Sequence, residues 1–132
     1  MNRLNAYDPD RQPNAQDWLE LDEAERVQLV ERFHVRAKID LPSVKTHAVI
    51  HLIVENQMAL GVECTVRAIP RLMGQGLSRH DAIHAVGSVY AEHFYDQVTR
   101  AGKDSSEDLW ASCSAAIDQL SAQAWLAKYG AQ

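Results

Sequence analysis

The stretch that decides the fold runs from Val44 to Leu60: Val-Lys-Thr-His-Ala-Val-Ile-His-Leu-Ile-Val-Glu-Asn-Gln-Met-Ala-Leu. Val44, Ala48, Ile50, Leu52, Val54, Met58 and Leu60 surround its polar residues, Pro42 and Ser43 open it, and Gly61 offers a stop. It reads as a helix over 44–60, apolar on most of its circumference and therefore central and buried. Upstream, Asp22 and Glu25 have capping-box spacing ahead of Val27, Leu29, Val30 and Phe33, which predicts a helix over about 23–37. Downstream, Val66, Ile69, Leu72 and Met73 carry a helix over about 63–74, with a kink or early break expected at Pro70. Ser78 with Asp81 starts another, carried by Ile83, Val86, Val89 and Phe94 to about Arg100 before Gly102. Ser105 with Asp108 starts a last one, carried by Leu109, Ile117, Leu120, Ala124 and Leu126 to Tyr129 and closed by Gly130.

No segment alternates as a strand does, so the fold class is all-α. With connections this short, neighbouring helices should pack antiparallel as an up-and-down bundle of four to five helices. The opening residues, among them Asn2, Asn5, Asp8, Pro9, Asp10 and Pro13, mix turn formers without periodicity. They read as an extended arm over 1–13 ahead of a single helical domain over 14–132. Asn14 or Asp17 opens a short turn through Trp18 and Leu19.

Composition excludes several classes of function. The 132 residues, 46% hydrophobic and 23% charged, suit one core. Thirteen Lys and Arg against eighteen Asp and Glu leave a net charge of -5, which argues against nucleic acid as a partner. There is no apolar run long enough to cross a membrane and no apolar signal core at the start, so a cytoplasmic protein is expected. Cys64 and Cys113, far apart and outside any Cys-x-x-Cys, read as free thiols. No Gly-rich phosphate loop, Gly-x-Ser-x-Gly elbow or His-Glu-x-x-His occurs, so nucleotide, serine-hydrolase and standard zinc-protease chemistry lack support.

What remains is the distribution of the six histidines. His47, His51 and Glu55 stand at i, i+4 and i+8 on one stripe of the central helix. His80 and His84 repeat the spacing on the helix after Ser78, with Glu92 eight residues further on the same face. Glu31 and His34 form a carboxylate and imidazole pair at i, i+3 near the end of the first long helix. Side chains four apart on a helix have Cβ atoms about 5–6 Å apart, from which two imidazoles converge on one ion at about 2.0–2.1 Å.

If successive helices alternate in direction, the 44–60 helix and the one after Ser78 are parallel. His47 is then level with His80 and His34, and His51 with His84 and Glu31, in two adjacent layers. His47 and Glu55 lie about 12 Å apart along the axis, too far to share one ion. Either two ions are bound, bridged by Glu31 or Glu55, or some carboxylates accept hydrogen bonds from ligating imidazoles, the role that suits Glu92. The expected metal ligands are therefore His34, His47, His51, Glu55, His80, His84, Glu31 and Glu92. A His-rich, carboxylate-poor set suits a transition metal, zinc or iron first and nickel or copper next, and not calcium or magnesium.

The alternative is a polar network that fixes helix register without metal, in a non-catalytic interaction module. His93 belongs to the surface or rim. Trp18, Trp110 and Trp125 read as core or interface anchors, and the buried thiols as small apolar groups. The sequence leaves room for a homo-oligomer.

The strings His47-Ala-Val-Ile-His51-Leu-Ile-Val-Glu55-Asn-Gln57 and His80-Asp-Ala-Ile-His84 with Glu92 resemble an uncharacterised bacterial family, domain of unknown function family 1841. That family pairs a His-x3-His-x3-Glu-x-Gln helix with a later His-x3-His-x7-Glu helix. The resemblance covers about residues 44–95 and implies a shared site at His47, His51, Glu55, His80, His84 and Glu92, without implying a reaction. The chain is also similar to hemerythrin-like bundles, whose order His51-x3-Glu55 and His80-x3-His84 would match. It departs from them in the last helix, which has no histidine. An ion with an open position would suit a metal-dependent hydrolase or a non-haem iron oxidase, with Glu31, Glu55 or Glu92 as proton acceptor.

Overall fold

The computed structural model describes residues 4–37, 44–99 and 106–129. Among these the regular structure is all helix, without strands, in seven segments that pack as a bundle: α1 (Ala15–Glu20), α2 (Glu23–Arg36), α3 (Val44–Leu60), α4 (Glu63–Gly74), α5 (Arg79–Thr99), α6 (Ser106–Gln119) and α7 (Ala122–Tyr129). The expected signals at Pro42, Ser43, Gly102, Ser105 and Gly130 fall outside the described residues.

Local chemistry sets the boundaries. Asn14 accepts from the Asp17 N–H to start α1. At α2, Asp22 Oδ1 accepts from the Glu25 N–H at 2.8 Å, and Glu25 returns the bond to the Asp22 N–H. Gly61, at φ 74, ends α3 in the left-handed region, and the Val62 N–H turns back to the Gln57 carbonyl. Ser78 Oγ caps α5 through the Asp81 N–H. α4 continues past Pro70 to Gly74, so no early break occurs there.

The last helix expected from sequence is two. α6 ends at Gln119 and α7 begins at Ala122, because α4 and the residue that follows it supply partners for the backbone groups that the break exposes. Arg71 donates to the Ile117 and Leu120 carbonyls, and Gln75 Oε1 accepts from the Ala122 N–H. The turn returns Trp125 to the core, where it is buried with Ile117 and Cys113.

α3 is the central element. Val54 and Met58 belong to one apolar cluster with α4, α5, α6 and α7; Ala48 and Leu52 belong to a second with Tyr7, Trp18, Leu29 and Val30. α5 approaches α3 so closely that a Cβ at Gly87 would overlap Ile50 Cγ2. On the other side, the Asn56 Oδ1 of α3 accepts from Trp18 Nε1 at 2.8 Å and from Arg26 at 3.0 Å, which fixes α1 and α2 against it.

Candidate metal centre

α2, α3 and α5 each turn one histidine stripe to the same point. His34 follows Val30 by one turn on the buried face of α2. His47 and His51 follow the same rule on α3, and His80 and His84 on α5. One ligand nitrogen from each of these five imidazoles lies within 4.8 Å of all the others. His34 and His51 are fully buried, and His47, His80 and His84 are half-buried. The expected two layers merge into one cluster: His84 Nε2 is 2.8 Å from His47 Nε2 and 3.1 Å from His51 Nε2, and the His80 ring packs on those of His84, His51 and His34.

Proton bookkeeping shows what this arrangement needs. His34 Nδ1 is 2.8 Å from the Val30 carbonyl, which only accepts, so Nδ1 carries the proton and Nε2 a lone pair. His51 Nδ1 is 3.0 Å from the Tyr7 hydroxyl, whose single proton goes to Glu55 Oε2 at 2.6 Å. His51 Nδ1 therefore donates, and its Nε2 also turns a lone pair inward. His84 Nε2 stands between two nitrogens but holds at most one proton, so His47, His51 and His84 cannot all be satisfied by one another. His34 Nε2 and His80 Nε2 are buried without a hydrogen-bond partner among the described residues. The lone pairs of His34 and His51 thus face nitrogens that cannot all be paired among themselves, which is the arrangement a cation completes.

Electrostatics keep the rings neutral. Burial, and then the neighbouring imidazoles, push His47 down to about 4 and His84 down to about 3. His51 is lowered by the same two causes, burial first. His80 is lowered by burial and by His34, partly offset by Asp10, Asp81 and Asp8. At neutral pH these rings carry lone pairs, the form that ligates a metal.

The carboxylates lie elsewhere. Glu55, almost fully buried, accepts from Arg79 at 2.7 and 2.8 Å and from Tyr7, so among the described residues it is linked to the cluster through the Tyr7 hydroxyl. Burial opposes the Arg79 charge, yet the bonds and charge of Glu55 hold its pKa above the usual value. Burial, then the charge of Glu55, likewise holds the Tyr7 phenol well above its ordinary range. Glu31 lines a groove between α2 and α3 with Glu23, Val27 and Val49. Glu92 is exposed and pairs with Lys128 at 2.9 Å. His93 donates to the Val89 carbonyl, away from the cluster. Tyr7 and Arg79 are the participants that sequence reasoning missed: Tyr7 sits in a segment without periodicity, and the only hint for Arg79 is its place beside His80.

No helix among the described residues is long and apolar enough to cross a membrane. No protein-family model, curated protein or solved structure matches the chain.

Proposed function

We propose that the protein binds a single transition-metal ion through the imidazoles of His34, His47, His51, His80 and His84. The observation that carries this is the convergence of five imidazole nitrogens that cannot all be paired with one another, with His34 Nε2 and His80 Nε2 buried and unpartnered among the described residues. A metal-free register network would give each buried nitrogen a complementary neighbour.

Distances favour one ion over two. Ligands about 2.0–2.1 Å from an ion stand about 2.8–3.0 Å apart at right angles and about 3.3–3.4 Å apart at the tetrahedral angle. The contacts of 2.8 and 3.1 Å fall within the span of these separations, as expected for ligands of one ion. Two ions about 3.5–4 Å apart would want a bridging carboxylate, and the cluster among the described residues contains only histidines. The all-imidazole donor set suits iron, zinc, nickel or copper. With five imidazoles, a six-coordinate ion keeps one position open for water or dioxygen. That position extends the reading to a metal-dependent hydrolase or a non-haem iron oxidase. We also propose that the site is shared with family 1841, on the spacing of His47, His51, His80 and His84; the Arg79 and Tyr7 bonds to Glu55 would then explain the family's glutamate.

The test is anaerobic calorimetric titration of metal-free protein with iron(II), and separately with zinc(II). Saturation at one equivalent is the expected result. Saturation at two would overturn the single-ion reading, and no binding by either would overturn metal binding itself.

A further inference from the structure

We infer that Tyr7 is a positioning residue of this centre, and that residues 4–14 form a strap whose docking and the binding of the ion strengthen one another. The inference rests on the metal reading above. Tyr7 belongs to no helix, yet it is 3% exposed, with its ring edge-on to His51 and Phe33 and tilted against Trp18. Its hydroxyl has one proton, given to Glu55, which leaves an oxygen lone pair for His51 Nδ1–H. This single acceptor selects the tautomer. Without it, nothing in the described hydrogen bonding holds the proton on Nδ1, and a ring protonated at Nε2 would present N–H where the ion needs a lone pair.

Two further bonds tie the strap to α5 beside a ligand. Arg79 Nη1 donates to the Pro9 carbonyl at 2.9 Å while also holding Glu55, and Asp10 Oδ1 accepts from the His80 backbone N–H at 3.1 Å. The strap therefore meets α3 through His51 and Glu55, and α5 through Arg79 and His80. An ion that fixes His51 against His80 and His84 fixes the two surfaces to which the strap docks. By linkage, whatever the strap adds to metal affinity the metal adds to strap docking. Outer-shell partners of this kind are worth about 10–100-fold in metal affinity.

Tyr7→Phe keeps the ring and removes the hydroxyl. Zinc(II) affinity, measured by competition with a chelator, should fall by about 10–100-fold. The metal-free variant also loses the buried bonds to Glu55 and His51, so its melting temperature should fall; zinc(II) affinity, measured where the variant is still folded, is the readout that a merely structural role would not move. In the wild type, trypsin cleavage after the exposed Arg11 should slow on adding zinc(II). This second measurement needs no variant, so it decides the matter if Tyr7→Phe fails to fold. Zinc affinity within twofold of wild type in a folded Tyr7→Phe protein would overturn the positioning role. A cleavage rate indifferent to zinc in a wild type that binds zinc would overturn the coupling. A wild type that binds neither zinc nor iron would instead overturn the metal reading, and this inference with it.

Discussion

α3 contributes to two buried polar clusters that are built on opposite logic. Toward its C-terminus, Gln57 joins Thr65, Tyr90 and Cys64. Thr65 donates to Gln57 Oε1 at 2.5 Å, which leaves its oxygen to accept from Tyr90 at 3.1 Å, and the Cys64 thiol lies 3.6 Å from that phenol. The hydroxyl protons of Thr65 and Tyr90 each have an acceptor within the cluster. Toward its N-terminus, His47 and His51 join three more imidazoles, and two of the five, His34 and His80, keep a buried Nε2 without a partner among the described residues. One cluster is what a structural polar network looks like in this fold. The other leaves buried nitrogens unpartnered among the described residues, a deficit that a cation would fill.

The comparison can be broken most decisively at the histidine cluster. His51→Ala combined with His84→Ala should abolish the rise in melting temperature that metal gives the wild type. That rise is set by binding to the native state, about 2.7 kcal/mol at a hundredfold excess over Kd, or roughly 10 °C for a domain of this size. A rise that survives in the double variant would place the ion elsewhere. Next in size, Thr65→Val should cost about 1–3 kcal/mol in urea denaturation, because it leaves Gln57 and Tyr90 without their shared partner. Metal content should not change, which separates the two clusters.

A smaller effect follows from protonation. The folded, metal-free protein holds His47 down to about 4 and His84 down to about 3, whereas the unfolded chain titrates near its ordinary value of about 6.5. Below that pH the unfolded state binds more protons, so stability present above about pH 6.5 is lost progressively as the pH falls toward 4 and 3. Urea midpoints of metal-free protein between pH 7 and pH 4 should show the loss, and His47→Ala with His84→Ala should flatten it. The smallest effects are expected at Glu31 and Glu92, which the structure leaves outside the cluster. Alanine at either should leave metal stoichiometry unchanged, and at Glu92, paired with Lys128 in solvent, stability should move by no more than about 0.5 kcal/mol.

Much of this was legible in the sequence. Caps at Asp22 and Ser78, the Gly61 stop and the periodicity of α3 and α4 are local signals, and local signals place helix ends. The histidine spacing on α3 and α5 is equally local, and His34 needed only its carboxylate neighbour to attract notice. The break between α6 and α7 was hidden because Arg71 and Gln75, distant in sequence, take up the backbone groups it frees. The roles of Glu55, Tyr7 and Arg79 were hidden for the same reason: Glu55 sits on the predicted stripe, but its partners come from two other parts of the chain. Side-chain spacing shows which face a residue occupies and not which atoms are already taken.

The most direct measurement is elemental analysis of the purified, untagged protein by inductively coupled plasma mass spectrometry, with the His51→Ala, His84→Ala variant beside it. The account predicts about one equivalent of a transition metal in the wild type and none in the variant. No metal in the wild type, even after anaerobic reconstitution with iron(II) and zinc(II), would contradict it and leave five imidazoles in a metal-free polar core.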